Sequence, residues 1–342
     1  MKTFKQYLIL LAVIPLLGYL LIAAKSKEPT VYGVGFYNVE NLFDTIHDVN
    51  KNDHDYLIGG KLDWNREKYS SKLTNIARVL SEMGSDKTPA GPAVIGLAEI
   101  ENFRVLLDLI LQPALKGKYQ YLHYEGEDKR GIDCALLYNP DLFLPQHSLL
   151  VPSKPLDGDT IHKTRGFLVV SGLLGGEKIT LIVNHWPSRG AESPVRVHAG
   201  EQVKLITDSI YNLNSHAKIV VMGDLNDDPM DPSVAKALGA KKHVKEVKSK
   251  ELYNPWWEIL EDKDVGTLLY RGKWNLFDQI IISEPLLKAK TGLRFVEAEV
   301  FMRDYLFEQE GKYKGSPFRT FGGRKWLNGY SDHLPTLIYL AQ

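Results

Sequence analysis

Cysteine is almost missing from this chain of 342 residues: the single Cys134 excludes an internal disulfide and any thiolate zinc cluster. Excess charge is missing as well. Lysine plus arginine and aspartate plus glutamate each number 42, so no global positive field draws the chain to nucleic acid, although a local basic groove is compatible with that balance. There is no internal repeat, no low-complexity tract and no Ser- or Gly-rich joint long enough to separate a pair of domains. What is present is an ordinary apolar fraction, 44%, enough for a sizeable core. Cys134, within Asp133-Cys134-Ala135-Leu136-Leu137, reads as a buried structural thiol.

The chain opens with Lys2 and Lys5, then an apolar run from Tyr7 to Ala24 that closes on small residues. That pattern is expected of a cleaved secretory signal, or of an uncleaved membrane anchor through 7–24; a buried helix is the remaining alternative. No cysteine follows the run, so lipid attachment there is excluded. Residues 1–29 are expected to be this leader plus a short linker, and 30–342 a single domain. Either main reading exports that domain, leaving it periplasmic, extracellular or membrane-anchored. A monomer is expected, and no protein partner is inferred.

Apolar runs rich in β-branched and aromatic residues predict strands at 31–37, 93–98, 133–138, 167–173, 178–183, 218–222, 276–283 and 336–340. Gly175-Gly176 predicts a hairpin turn. Tyr69, Leu73, Ile76, Ala77 and Leu80 share one helix face, and so do Val203, Ile206, Ile210 and Leu213. Hairpins mixed with helical crossovers argue for a layered α/β protein rather than a doubly wound parallel sheet.

The polar residues recur where these strands run out. Asn38 and Glu40 end the first, Glu99 the second, and Asn184-His185 the run at 178–183. Gly223-Asp224-Leu225-Asn226 follows the run at 218–222, Asp278 interrupts 276–283, and Ser331-Asp332-His333 precedes the last strand. Strand ends meeting on one edge make a rigid rim for a site. Carboxylate, amide and imidazole without thiolate suit Mg²⁺ (or Mn²⁺ or Ca²⁺) better than a soft metal.

Asn38-Val39-Glu40-Asn41, Glu99, Asn184-His185, Gly223-Asp224-Leu225-Asn226, Asp278 and Ser331-Asp332-His333, in this order, resemble the endonuclease/exonuclease/phosphatase superfamily over nearly all of 31–342. The resemblance implies an α/β (α+β) four-layer sandwich, two central mixed β-sheets flanked by helices, with the active site at one rim. It implies metal-dependent phosphoester hydrolysis, with Glu99 the leading metal ligand, supported by Asn38 and Asp332. Asp224 would activate the attacking water and Asn226 hold a phosphoryl oxygen. His333 would meet the developing charge, its ring oriented by Asp278. His185 corresponds to a second histidine of the deoxyribonuclease-like branch, whose glutamate partner has a loose candidate in Glu125. Arg165, Arg189 and Arg196 are candidate phosphate contacts.

The chemistry requires such a set. A phosphodiester is anionic and repels hydroxide, so a cation must neutralise its oxygens and a carboxylate must position the water. A histidine beside a carboxylate is held in one orientation with a raised pKa. Each motif alone has a plainer reading: Asp227-Asp228-Pro229 as a turn, Trp186 and Trp256-Trp257 as core packing, Glu40 as solvent-facing, Arg165 as a solvated strand end. Near the C-terminus Lys312, Lys314, Arg319, Arg324 and Lys325 interleave with Tyr313, Phe318, Phe321 and Trp326, either a track for a nucleic-acid backbone or a solvated glycine-rich loop. An exported nuclease acting on DNA or RNA by in-line water attack ranks first. A phosphatase or phospholipase (sphingomyelinase-like or inositol-phosphate-like) is the alternative, and an envelope-bound binding module without turnover ranks last.

Overall fold

The computed structural model describes residues 29–156 and 164–342; of the leader and linker expected at 1–29, residues 1–28 lie outside them. Val31–Gln342 form one compact unit. Its strands are β1 (Val31–Leu42), β2 (Val94–Ile100), β3 (Gln120–His123), β4 (Asp133–Tyr138), β5 (Phe143–Val151), β6 (Phe167–Leu174), β7 (Glu177–His185) and β8 (Ile219–Asp224). They continue with β9 (Ala240–Lys241), β10 (Leu252–Tyr253), the hairpin β11 (Leu268–Tyr270) and β12 (Lys273–Asn275), β13 (Asp278–Ser283) and β14 (Arg294–Val300). The hairpin β15 (Phe321–Gly322) and β16 (Lys325–Trp326) precedes β17 (Thr336–Ala341). Two mixed sheets result, one of six strands in the order β14-β17-β1-β2-β4-β3 and one of seven in the order β5-β6-β7-β8-β13-β10-β9.

Strand alternation builds the layers. On β7, β8 and β13, Val183, Val220, Met222, Ile280 and Ile282 face the six-stranded sheet and share its core. The intervening Ile182, Ile219, Val221 and Ile281 face the other way. There they meet Ala199, Val203 and Tyr211 of α3 (Ser193–Leu213). On the outer face of the six-stranded sheet lie α1 (Arg66–Glu82) and α2 (Phe103–Ile110). Asn65 caps α1 by accepting a hydrogen bond from the Lys68 N–H, and the expected stripe from Tyr69 to Leu80 is buried. Helix, sheet, sheet and helix make the four-layer sandwich. Each fully buried Val, Leu, Ile or Phe contributes about 1.5–3 kcal/mol to holding it.

Three expectations need correction. The buried face of α3 runs through Ala199, Val203, Thr207 and Tyr211, leaving Leu213 at 92% exposure. An apolar residue at a helix end has no sheet left to cover it. The strands β3, β5 and β14, which the apolar runs do not predict, are all at or next to sheet edges, where one side of the ladder is free and polar residues alternate in. Glu40, for which the plainer reading is a solvent-facing side chain, is buried. The turn at Gly175-Gly176 forms as expected, with φ of +57° and +85°, and burial pushes the Cys134 thiol up. Among the described residues no helix is long and apolar enough to cross a membrane.

The sheets are in tight contact at Gly96 on β2. A Cβ there would sit 2.7 Å from Met222 Sδ, 3.0 Å from Phe36 Cδ2 and 3.1 Å from Val183 Cγ1. Gly96→Val is therefore expected to lower stability by about 1–3 kcal/mol through overpacking, read as an earlier thermal unfolding midpoint. An unchanged midpoint would contradict this packing.

Candidate active site

Register alone assembles half of the site. β7 and β8 run parallel with His185 opposite Asp224, and β8 and β13 run antiparallel with Asp224 opposite Asp278. His185, Asp224 and Asp278 thus stand in a row across three neighbouring central strands, at the rim formed by their ends. The six-stranded sheet supplies the other half. Asn38 on β1 lies beside Ala98 of β2, and Glu99 occupies the irregularity between Ala98 and Ile100. His333 arrives on the segment leading into β17.

The halves are joined by hydrogen bonds. Asn38 Nδ2 donates to Asp224 Oδ2 at 3.0 Å, and the Asn226 backbone N–H donates to Asp224 Oδ1 at 2.9 Å. His333 Nδ1 lies 2.7 Å from Asp278 Oδ2, while its Nε2 is 3.9 Å from Asp224 Oδ2. Ser331 Oγ donates to the Asn38 carbonyl and accepts from the His333 N–H, which fixes the approach of that loop. Glu40, Asn41, Glu99 and Asn226 all have φ between +51° and +66°. Left-handed backbone at non-glycine residues costs of order 1–3 kcal/mol each and persists where the surroundings impose it, commonly at functional sites. Here it turns Glu99 toward the cavity while the Asn41 N–H, at 2.8 Å, holds its Oε2.

The electrostatics divide the two histidines. Burial opposes charge on His333, but Asp278 and then Asp224 raise its pKa well above the ordinary value, which favours the imidazolium. His185 is equally buried, and with Arg165 and Arg130 nearby its pKa falls well below the ordinary value. Its Nδ1 has no hydrogen-bond partner, and its Nε2 stands 3.6 Å from Asp224 and 3.9 Å from Glu99. Burial above all, and then the Asp278 charge, push Asp224 up to about 7 against the pull of His333.

A second acidic group adjoins the first. Arg319 Nη2 donates to both Glu40 Oε1 and Asp332 Oδ2 at 2.9 Å, and the Thr320 N–H donates to Glu40 Oε2. Burial and the Asp332 charge push Glu40 up to about 7, although Lys72 and Arg319 oppose them. Lys72 itself is buried, with its ammonium on Thr320 Oγ1 and the Tyr330 carbonyl. Glu99 and Asp332 line the same cavity, and carboxylate oxygens suit a hard divalent cation, while Asn38 accepts the Glu40 N–H on Oδ1 and donates from Nδ2 to Asp224. Atoms of Asp224, Asp278 and His333 also fall within 4.8 Å of one another. Within this trio His333 Nδ1 already faces Asp278 Oδ2 at hydrogen-bond distance.

The cavity, of about 840 Å³, is lined by Glu99, Arg165, His185, Asp224, Asn226, Asp332 and His333. Not every expected residue lines it: Asn38, Asp278, Arg189 and Arg196 do not. Arg165, which does, is buried rather than solvated: it pairs with Asp128 at 2.8 Å and donates to the Trp186 carbonyl. Arg189 and Arg196 are drawn away, to a separate cavity of about 480 Å³. Arg196 pairs with Asp227 at 2.8 Å, and Arg189 with Asp231 at 2.8 Å and Asp228 at 3.2 Å. The acidic turn after Asn226 takes both guanidiniums. Glu125 does not partner His185; it lies with His123 and Asp133. Arg319, Asp128 and Arg130 were not singled out as site residues from the sequence. Arg319 stood within the basic-aromatic stretch, and the carboxylates it meets come from residues distant in the chain.

The chain matches a family model described as Endonuclease/Exonuclease/phosphatase family over residues 33–342. No curated protein matches it. Among solved structures, TDP2 of D. rerio complexed with a single-strand DNA product is 16% identical, at a TM-score of 0.54 over 92% of this chain and 100% of that one. An endonuclease/exonuclease/phosphatase family protein of Bacteroides thetaiotaomicron is 16% identical, at a TM-score of 0.55 over 92% and 96%. ANGEL2, described as a 2',3'-cyclic phosphatase, is 15% identical, at a TM-score of 0.59 over 92% and 95%.

Proposed function

The chain belongs to the endonuclease/exonuclease/phosphatase family, and on that premise we propose that it is an exported, Mg²⁺-dependent phosphodiesterase that cleaves DNA or RNA. The observation that carries the reading is the row of His185, Asp224 and Asp278, closed from the other sheet by His333 at 2.7 Å from Asp278. Asp224, gripped on one oxygen by Asn38 and on the other by Asn226, is held to take a proton from an attacking water. His333, kept protonated by Asp278, donates to a phosphoryl oxygen as charge develops there. The Asn226 side chain spends one N–H on the Trp186 carbonyl and has a second for the phosphate. A divalent cation held by Glu99, Asn38 and Asp332 would neutralise charge on a non-bridging oxygen and on the leaving oxygen.

A polymeric substrate is favoured by the cations along the cavity. Arg165 and Lys154 line it, and so does Arg130, half-exposed and only loosely engaged, at 3.5 Å from Asn41 Oδ1 and 3.9 Å from Asp128. Successive backbone phosphates need such a line, whereas a single monoester does not. The similarity to a structure holding a single-strand DNA product supports the same choice.

The deciding experiment is a panel of plasmid DNA, RNA, a single-stranded oligonucleotide, sphingomyelin, inositol phosphates and a generic diester, with and without Mg²⁺. Mg²⁺-dependent cleavage of nucleic acid and of the generic diester is expected. Hydrolysis confined to lipid or phosphomonoester would replace the nuclease reading with the phospholipase or phosphatase one.

A further inference from the structure

Apart from the row just described, β3 and β4 bring three other groups together. His123 ends β3, Asp133 begins β4, and Glu125 lies on the loop between them. One ligand atom from each falls within 4.8 Å of the others. The side chains of His123 and Asp133 are only 4% and 3% exposed. Yet His123 Nε2 and Asp133 Oδ2 have no hydrogen-bond partner. A buried polar atom left unsatisfied costs about 1–3 kcal/mol, and here two of them face each other.

Their separation is informative. At 3.6 Å they are too far apart for a hydrogen bond. Two ligands each roughly 2.0–2.1 Å from a tetrahedral ion stand about 3.3 Å apart. Glu125 is exposed, so the group opens to solvent on its side. The nearby Lys51 ammonium donates to the carbonyls of Gly126 and Asp128. The loop crosses Asp133 so closely that a Cβ on Gly126 would sit 2.3 Å from Asp133 Oδ1.

We propose that His123, Glu125 and Asp133 form a second divalent-cation site, distinct from the catalytic one. One imidazole with two carboxylates is a donor set for an ion of the Zn²⁺ class, whereas the all-oxygen set at Glu99 suits Mg²⁺. The site is placed to matter. The loop between its ligands carries Asp128 and Arg130 to the catalytic cavity, and Asp133 pairs with Ile100, one residue beyond Glu99. An ion there pins a wall of the substrate groove without touching substrate.

The test is Zn²⁺ binding to the chelator-stripped full-length chain by equilibrium dialysis in excess Mg²⁺, which fills the oxygen site. Wild type and Glu99→Gln are both expected to hold an equivalent of Zn²⁺. His123→Gln and Glu125→Gln should each weaken that binding by about 10-fold or more, the loss that even outer partners of a metal ligand cause. Glu125 is exposed, so its variant folds even if His123→Gln does not. Zn²⁺ binding that survives both substitutions, or that disappears only with Glu99→Gln, overturns the proposal. A chain that hydrolyses no phosphoester yet binds Zn²⁺ in this pattern would sink the proposed function and leave this site standing.

Discussion

Asp224→Ala and His333→Ala are each expected to lower kcat by about 10²–10⁴-fold, the range for losing a positioned acid or base. The effects should fall on turnover more than on KM, because water activation and phosphoryl charge arise in the transition state. Stability should move differently. Asp224 is pushed up to about 7 by burial first. A carboxyl raised on folding is most favourable to the native state below its unfolded pKa, and that benefit is lost as pH rises through the folded value. Removing Asp224 should therefore leave the unfolding midpoint at pH 8 no lower than wild type. Asp278→Asn carries the matching test on His333. Against a burial that opposes its charge, Asp278 is the leading influence that raises the pKa of this imidazole, so its loss should move the alkaline limb of the pH–rate profile to lower pH. Near-full turnover in Asp224→Ala or His333→Ala, or an unmoved limb in Asp278→Asn, would remove the roles assigned to them.

Chelation is expected to have an effect of the same order or more. Metal stabilisation of a phosphoryl transition state is worth several kcal/mol, which at about 1.4 kcal/mol per decade is a loss of about 10³-fold or more. EDTA should abolish hydrolysis and Mg²⁺ restore it. Glu99→Gln should raise the Mg²⁺ concentration for half-maximal activity by at least about 10-fold. Hydrolysis indifferent to EDTA would take the cation out of the chemistry, and a normal Mg²⁺ requirement in Glu99→Gln would move the ligand elsewhere.

How much of this was legible in the residues differs by kind. Central strands announce themselves because both faces are buried, and β4 (Asp133–Tyr138) is apolar from Cys134 onward. Edge strands such as β5 do not, since Pro145 and His147 sit in a strand with only one neighbour. Asn38, Glu99, His185, Asp224, Asn226, Asp332 and His333 were readable because each follows or precedes an apolar run, and strand ends converge. The arginines were not. A guanidinium on a long side chain goes to whichever carboxylates the fold brings near, and Asp227, Asp228 and Asp231 claim Arg189 and Arg196. For the same reason Arg319 reaches Glu40, 279 residues away in sequence, a pairing no local pattern discloses.

The packing at Gly96 has a consequence for heat. Asn38, Glu99 and His333 ride on one sheet, and His185, Asp224 and Asp278 on the other. Sliding of one slab past its neighbour by a fraction of an ångström would pull the proton-handling groups out of line while both slabs kept their strands. Warming is therefore expected to silence hydrolysis before the strands melt. A residue larger than the bare glycine at the seam would push on Met222 and Val183 of the facing slab, and is expected to lower the temperature at which that happens.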